Sequence, residues 1–174
     1  MPTPDRTSLD QIVEAGRELI ETGGSSRLTM QAVAERVGVR APSLYKRVRD
    51  RDALLLLVAQ ATVDDLAQRL EASDRTLAGL AHAYRLFAQE HPEGFRLLFA
   101  IDGAVESMDR VSATVLRLGR ELVGDDEALE AARLITAWAT GFINMELAGA
   151  FRLGGDVDRA FEFGLERLEI GLRA

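Results

Sequence analysis

Bulky apolar side chains recur at three- and four-residue spacing along almost the whole chain, and no stretch alternates long enough to suggest a pair of strands. Leu9, Ile12, Val13, Gly16, Leu19 and Ile20 keep to one face of a first helix. Ser8 and Gln11 open that helix as a capping box, and the run Gly23, Gly24, Ser25, Ser26 ends it. Residues 29–52 predict two short helices around a turn, with Val33, Val37 and Leu44 as the bulky inward positions and Ala34 small where another helix must cross. Gly38 follows at the place where a residue at positive φ stops a helix, Val39 turns back inward, and Pro42 lies at a helix start, where a missing N–H costs nothing. The helix after the turn, of about two turns, is too short to be stable alone and must lean on neighbours through Leu44 and Val48. Asp50 caps a long helix running to about Ala72, and further helices are predicted over residues 74–92, 93–101, 105–123, 125–153 and 156–172. The expected fold class is all-α, with about nine helices.

Charge sharpens this picture at one place. The 174-residue chain has a net charge of −7, yet residues 25–51 hold seven basic and two acidic side chains, a local net of +5 that leaves −12 on the rest. The face of the third helix that is not needed for packing presents Arg40, Ala41, Pro42, Ser43, Tyr45, Lys46 and Arg49, with no carboxylate among them. Small residues at a helix start permit close approach to base edges, and hydroxyls and cations bind phosphate oxygens. A DNA-reading helix is one interpretation; a solvated basic hairpin is the other, because the same geometry occurs in proteins that touch no nucleic acid.

Other chemistry finds little support. The absence of cysteine removes disulfides, thiolate metal sites and thiol nucleophiles. His82 and His91 have no serine or carboxylate motif beside them, and the Gly-Ser run at 23–26 lacks the lysine and preceding strand of a nucleotide-binding loop. Neither catalysis nor a cofactor is expected. Asp125, Asp126 and Glu127 are explained by a helix dipole, so no metal site is expected there. The most apolar run, residues 53–63, is broken by Gln60 and Thr62 and falls short of the roughly 20 residues needed to cross a bilayer. Pro2, Pro4, Asp5 and Arg6 do not resemble a signal peptide, and a soluble cytoplasmic protein is expected.

The run from Leu28 to Leu55, LTMQAVAERVGVRAPSLYKRVRDRDALL, resembles the N-terminal DNA-binding domain of the TetR family of transcriptional regulators. The amphipathic helix before it, the long apolar helix after it and the total length fit the same family. The resemblance implies a three-helix helix-turn-helix DNA-binding domain over residues 1–52 and a helical-bundle ligand-binding and dimerisation domain over 53–174. It further implies a homodimer formed through the last two helices, a near-palindromic double-stranded operator and a small-molecule effector. Carried onto this sequence, Thr29 binds phosphate at the start of the second helix, Tyr45 and Lys46 grip the DNA backbone, and Arg40, Ala41, Pro42 and Ser43 face the bases. Two departures stand out. Where the family often has His then Phe after the Tyr-Arg/Lys pair, this chain has Arg47 and Val48. Val48 can fill the core with less volume, whereas Arg47 is either a phosphate contact or a solvated side chain. A serine or threonine cap is common where Arg40 stands, so a weaker cap is expected there.

The middle helices gather Tyr84, Phe87, Phe95, Phe99, Ile101, Met108, Trp138, Phe142 and Met145. By resemblance these line an apolar effector pocket; by spacing alone they are core, and the two readings overlap. Trp138 with Gly141 resembles a pattern in the ligand-binding half of one subgroup of TetR-like regulators, a Trp-x-x-Gly subgroup. Phe161, Phe163, Leu165, Leu168, Ile170 and Leu172 cover more than one face of the final helix, as suits a helix packed on its own body and on a partner. The expected function is a ligand-responsive repressor released from its operator by a small molecule. The rival is a ligand-binding or dimerisation module without DNA-binding activity, and the Tyr45-Lys46 pair and the local charge count against it.

Overall fold

The computed structural model describes residues 7–100 and 108–174. Among these residues the elements are α1 (Leu9–Gly23), α2 (Met30–Arg36), α3 (Ala41–Leu44), α4 (Arg51–Ala72), α5 (Leu77–Glu90), α6 (Pro92–Ala100), α7 (Asp109–Val123), α8 (Ala128–Leu147) and α9 (Val157–Leu172). A 3-10 turn, Ser25–Arg27, separates α1 from α2. Nine α-helices among the described residues agree with the all-α expectation. The expected helix end at Ile101 and start at Val105 lie outside the described residues.

Several boundaries differ from expectation for local reasons. Asp74 does not open α5; its carboxylate accepts from both the amide and the hydroxyl of Thr76, and Thr76 in turn accepts from the Gly79 N–H, so the helix begins after Thr76. Pro92 opens α6 instead of closing α5, a position where its lack of an N–H is harmless. α8 stops at Leu147, short of Leu153, where Gly149 at φ 61° turns the chain. α3 is a single turn, not two, although the Val48 N–H still reaches the Leu44 carbonyl at 2.9 Å.

The chain folds as two compact units. Among the described residues the first comprises 7–65 and 91–100, the second Leu66–Glu90 and Met108–Ala174. This division by packing does not follow the 52/53 boundary drawn from sequence, since much of α4, and α6, pack with the first three helices. In the first unit, Ile12, Ile20, Leu28, Val33, Ala34, Leu44, Val48, Leu54, Val58 and Leu97 form one buried cluster. Burying each large aliphatic chain contributes about 1.5–3 kcal/mol. Glu21 ties α6 to α1 by accepting the N–H groups of Glu93, at 3.3 Å, and Gly94, at 2.7 Å, at the helix start. In the second unit, α7 and α8 pair across the 124–127 turn, and α5 and α9 pack on α8.

Candidate nucleic-acid interface

The turn between α2 and α3 is fixed by backbone geometry. Gly38, at φ 71°, donates to Glu35, and Val39 donates to the Ala34 carbonyl at 2.9 Å, the two bonds of a Schellman motif. Val33, Ala34, Leu44 and Val48 are buried as the spacing predicts, with Val37 and Val39 half-buried. Val48, at 2 % exposure, does fill the core position. These contacts leave Arg40, Pro42, Ser43, Tyr45, Lys46, Arg47 and Arg49 exposed and Ala41 half-buried. Arg40 is the N-cap of α3 and makes no side-chain cap, as expected from its type; the Ser43 N–H bonds only to its carbonyl.

Thr29 caps α2. Its hydroxyl oxygen accepts from the Ala32 N–H at 3.1 Å, and the side chain is exposed, so its O–H can still donate outward. Arg49 lies on the same exposed surface but bonds Asp50 at 2.6 Å, which raises its pKa. The Asp50 carboxyl is held below the usual carboxylate range by the Ala53 N–H at 2.8 Å and then by Arg49. Asp50 thus caps α4, as the sequence suggested.

The aromatic side chains considered for an effector pocket divide between the units. Phe95 is fully buried in the first unit and meets the exposed Phe99 edge-on at 5.4 Å. In the second, the fully buried Phe87 lies under Arg69. The Tyr84 hydroxyl bonds Thr140 at 3.1 Å, and burial pushes its phenol up to about 12. Trp138 stacks on Phe161 at 5.1 Å, while Phe142 touches Phe161 and Phe151. Met108 is half-buried and Met145 exposed. A second set of side chains forms an exposed stripe: Leu134, Ala137, Gly141 and Met145 follow one another along one face of α8, and Ala160, Phe163, Ile170 and Gly171 are exposed on α9.

Two family descriptions match this chain. "Bacterial regulatory proteins, tetR family" matches residues 12–58, and "Tetracyclin repressor-like, C-terminal domain" matches residues 77–168. The chain belongs to the TetR family of transcriptional regulators. An uncharacterized HTH-type transcriptional regulator of Mycobacterium tuberculosis, Rv0681, is 25% identical, with 97% of this chain and 83% of that protein covered. The tetracycline repressor class A from transposon 1721 of Escherichia coli is 27% identical over 86% of this chain and 73% of its own. A single-residue variant of TetR from Acinetobacter baumannii AYE, solved in complex with minocycline, superposes with a TM-score of 0.69 at 25% identity, covering 97% of this chain and 99% of that one. These relatives are regulators, not enzymes. No helix among the described residues is long and apolar enough to cross a membrane.

Sequence reasoning missed several residues that shape this TetR-family chain. Arg51 donates to the carbonyls of Leu28, at 2.8 Å, and Ser25, at 2.7 Å. Arg85, nearly buried, makes a two-pronged bond to Glu146 and a third to Asp158 at 2.6 Å, with its guanidinium 4.7 Å from the Phe161 ring. Both join residues far apart in the chain, so no local pattern announces them. Gly164 did have a signal, a glycine inside a helix. A Cβ there would fall 2.6 Å from Trp138 Cζ2, so the glycine makes room for the indole.

Proposed function

We propose that this TetR-family regulator is a homodimeric repressor, acting in the cytoplasm, that binds a near-palindromic operator and releases it when a small molecule occupies the second unit. The observation that carries the DNA-binding half is the exposed surface of α3 and the residues flanking it, 40–49, which bears cations and hydroxyls without a carboxylate and is aimed by the buried Val33, Ala34, Leu44 and Val48. On this reading Arg40, Ala41, Pro42 and Ser43 face base edges, and Thr29, Tyr45, Lys46 and Arg49 hold phosphates. The segment before residue 53 then provides DNA binding, and the rest provides regulation and dimerisation. Dimerisation uses the exposed stripes of α8 and α9. Gly141 and Gly171 have no heavy atom within 4 Å of an added Cβ, which suits close approach by a second copy. The open, small residue at Gly141, three positions after Trp138, supports placement in the Trp-x-x-Gly subgroup.

For the effector, the supporting observations are the part-buried hydrogen bond between the Tyr84 and Thr140 hydroxyls, and the minocycline bound to the Acinetobacter relative. An apolar ligand with one or two hydrogen-bonding groups fits that chemistry, with Tyr84, Phe87, Met108, Trp138, Phe142 and Met145 of the second unit as its candidate surroundings. Its differential affinity for two separations of the reading helices would then set the response. The test is fluorescence polarisation with duplexes from the chain's own upstream region, together with sedimentation. Specific binding that weakens with salt by a dimer is expected; a monomer at micromolar concentration, or no sequence preference, refutes the proposal.

A further inference from the structure

Arg51 occupies the first position of α4, where a cation opposes the positive end of the helix dipole. Its sequence neighbours Asp50 and Asp52 offset that cost locally, one terminal nitrogen of Arg51 lying 3.5 Å from the Asp52 carboxylate, while the rest of its guanidinium reaches back to the turn before α2. Nε donates to the Leu28 carbonyl at 2.8 Å and a terminal nitrogen to the Ser25 carbonyl at 2.7 Å, so one side chain holds both ends of the 3-10 turn that precedes α2. Leu28 is fully buried, which fixes its side chain in the core while Arg51 fixes its carbonyl. The next residue is Thr29, the exposed cap of α2. Two points of attachment therefore hold the residue just before the phosphate anchor, the Leu28 side chain and the Leu28 carbonyl, and a third, the Thr29 hydroxyl accepting from Ala32, holds the anchor itself.

We infer that Arg51 is a positioning residue for DNA binding: it sets the Thr29 end of α2 against the start of α4 and does not itself hold a phosphate. The inference rests on the reading of Thr29 as a phosphate anchor. The fork is essential to it, since a planar guanidinium spans two carbonyls that a single ammonium cannot hold in the same geometry. A phosphate contact, by contrast, is served by lysine as a point charge.

The experiment compares the full chain with Arg51→Lys, Arg51→Gln, Thr29→Ala, Lys46→Ala and the Thr29→Ala/Arg51→Lys pair, by polarisation on operator duplex across a salt series. Arg51→Lys and Arg51→Gln should weaken binding by a similar factor, on the order of tenfold, with the slope of log affinity against log salt unchanged in both. In the Thr29→Ala background, Arg51→Lys should add little, because the residue it acts through is gone. Amide exchange in the free protein should quicken at Ala32 in Arg51→Lys, a reading that needs no DNA. Near-normal affinity for Arg51→Lys, a slope shallower by about 1.8 for Arg51→Gln (one phosphate lost per protomer of the dimer), or additive losses with Thr29→Ala overturns the inference and leaves the interface standing. If the unaltered chain shows no salt-dependent binding, or Lys46→Ala leaves it unaffected, the interface reading itself fails, and this inference with it.

Discussion

Gly164→Ala tests the packing of the second unit at its tightest point. The added Cβ would lie 2.6 Å from Trp138 Cζ2 and 3.0 Å from its Cε2 and Nε1, about 1 Å inside normal carbon contact. The indole has little room to yield. It stacks on Phe161 with ring centroids 5.1 Å apart and 28° between planes, and meets Phe142 at 6.0 Å. Overpacking of this kind costs about 1–3 kcal/mol, whereas replacing a mid-helix glycine by alanine gains about 1 kcal/mol. The clash against a wedged ring puts the cost in the upper part of its range, so a net loss of about 1–2 kcal/mol is expected. Urea unfolding followed by tryptophan emission reads both effects, since Trp138 is the only tryptophan in the chain. The native emission should shift as the ring moves. In a Trp138→Phe background the atoms that clash are absent, and Gly164→Ala should become neutral or stabilising when unfolding is followed by circular dichroism. Equal or greater stability of Gly164→Ala, with unchanged emission, would show that the close approach does not exist.

Lys46→Ala should weaken binding to all duplexes by a similar factor, whereas Ser43→Ala should change the base preference at a few positions; a competition series across mutated operators separates the two. Arg85→Met should lower stability to urea by about 2–3 kcal/mol, because it strips the half-buried Glu146 carboxylate of its two-pronged cationic partner and leaves it only the Gln89 amide, and adding Glu146→Met should recover most of the loss. The Tyr84 phenol, at about 12 in the folded chain, lies above its unfolded value of about 10. The folded state therefore holds that proton more tightly, and its contribution is complete below the unfolded value and lost as pH rises toward the folded one. Thermal unfolding from pH 9 to 12 should accordingly fall more steeply for the unaltered chain than for Tyr84→Phe.

What was legible in the sequence was what is local. The Ser8–Gln11 capping box, the Gly38 stop and the inward Val33, Leu44 and Val48 act over three to five residues, and all appear where the pattern put them. The ends of α5 and α8 were not legible, because competing turn chemistry at Thr76 and Gly149 decides them within a residue or two. For the candidate interface, the sequence identified which side chains α3 leaves exposed, but it could not distinguish cations that face outward from those already engaged. Arg36 reaches Glu18 across 18 residues and Arg51 reaches Ser25 across 26, separations over which no periodicity carries information. The aromatic residues were recognised as a set. Their allocation to two units, with Trp138 wedged against α9, depends on packing that no spacing encodes.

That distinction changes the expected salt dependence of operator binding. Counting all seven cations of residues 25–51 gives fourteen for a dimer, and a slope of log affinity against log salt of about −13. Arg36 is bound to Glu18 on α1, and Arg51 to two backbone carbonyls. Arg49 differs from both, since its pair with Asp50 joins adjacent residues and its side chain is 83% exposed, and such a pair exchanges for a phosphate at little cost. Removing Arg36 and Arg51 alone leaves five cations per protomer, and the slope should be no steeper than about −9. A measured slope near −13 would mean that both side chains leave their intramolecular partners when DNA arrives. In that event the turn before α2 would have to be held in the complex by something other than Arg51.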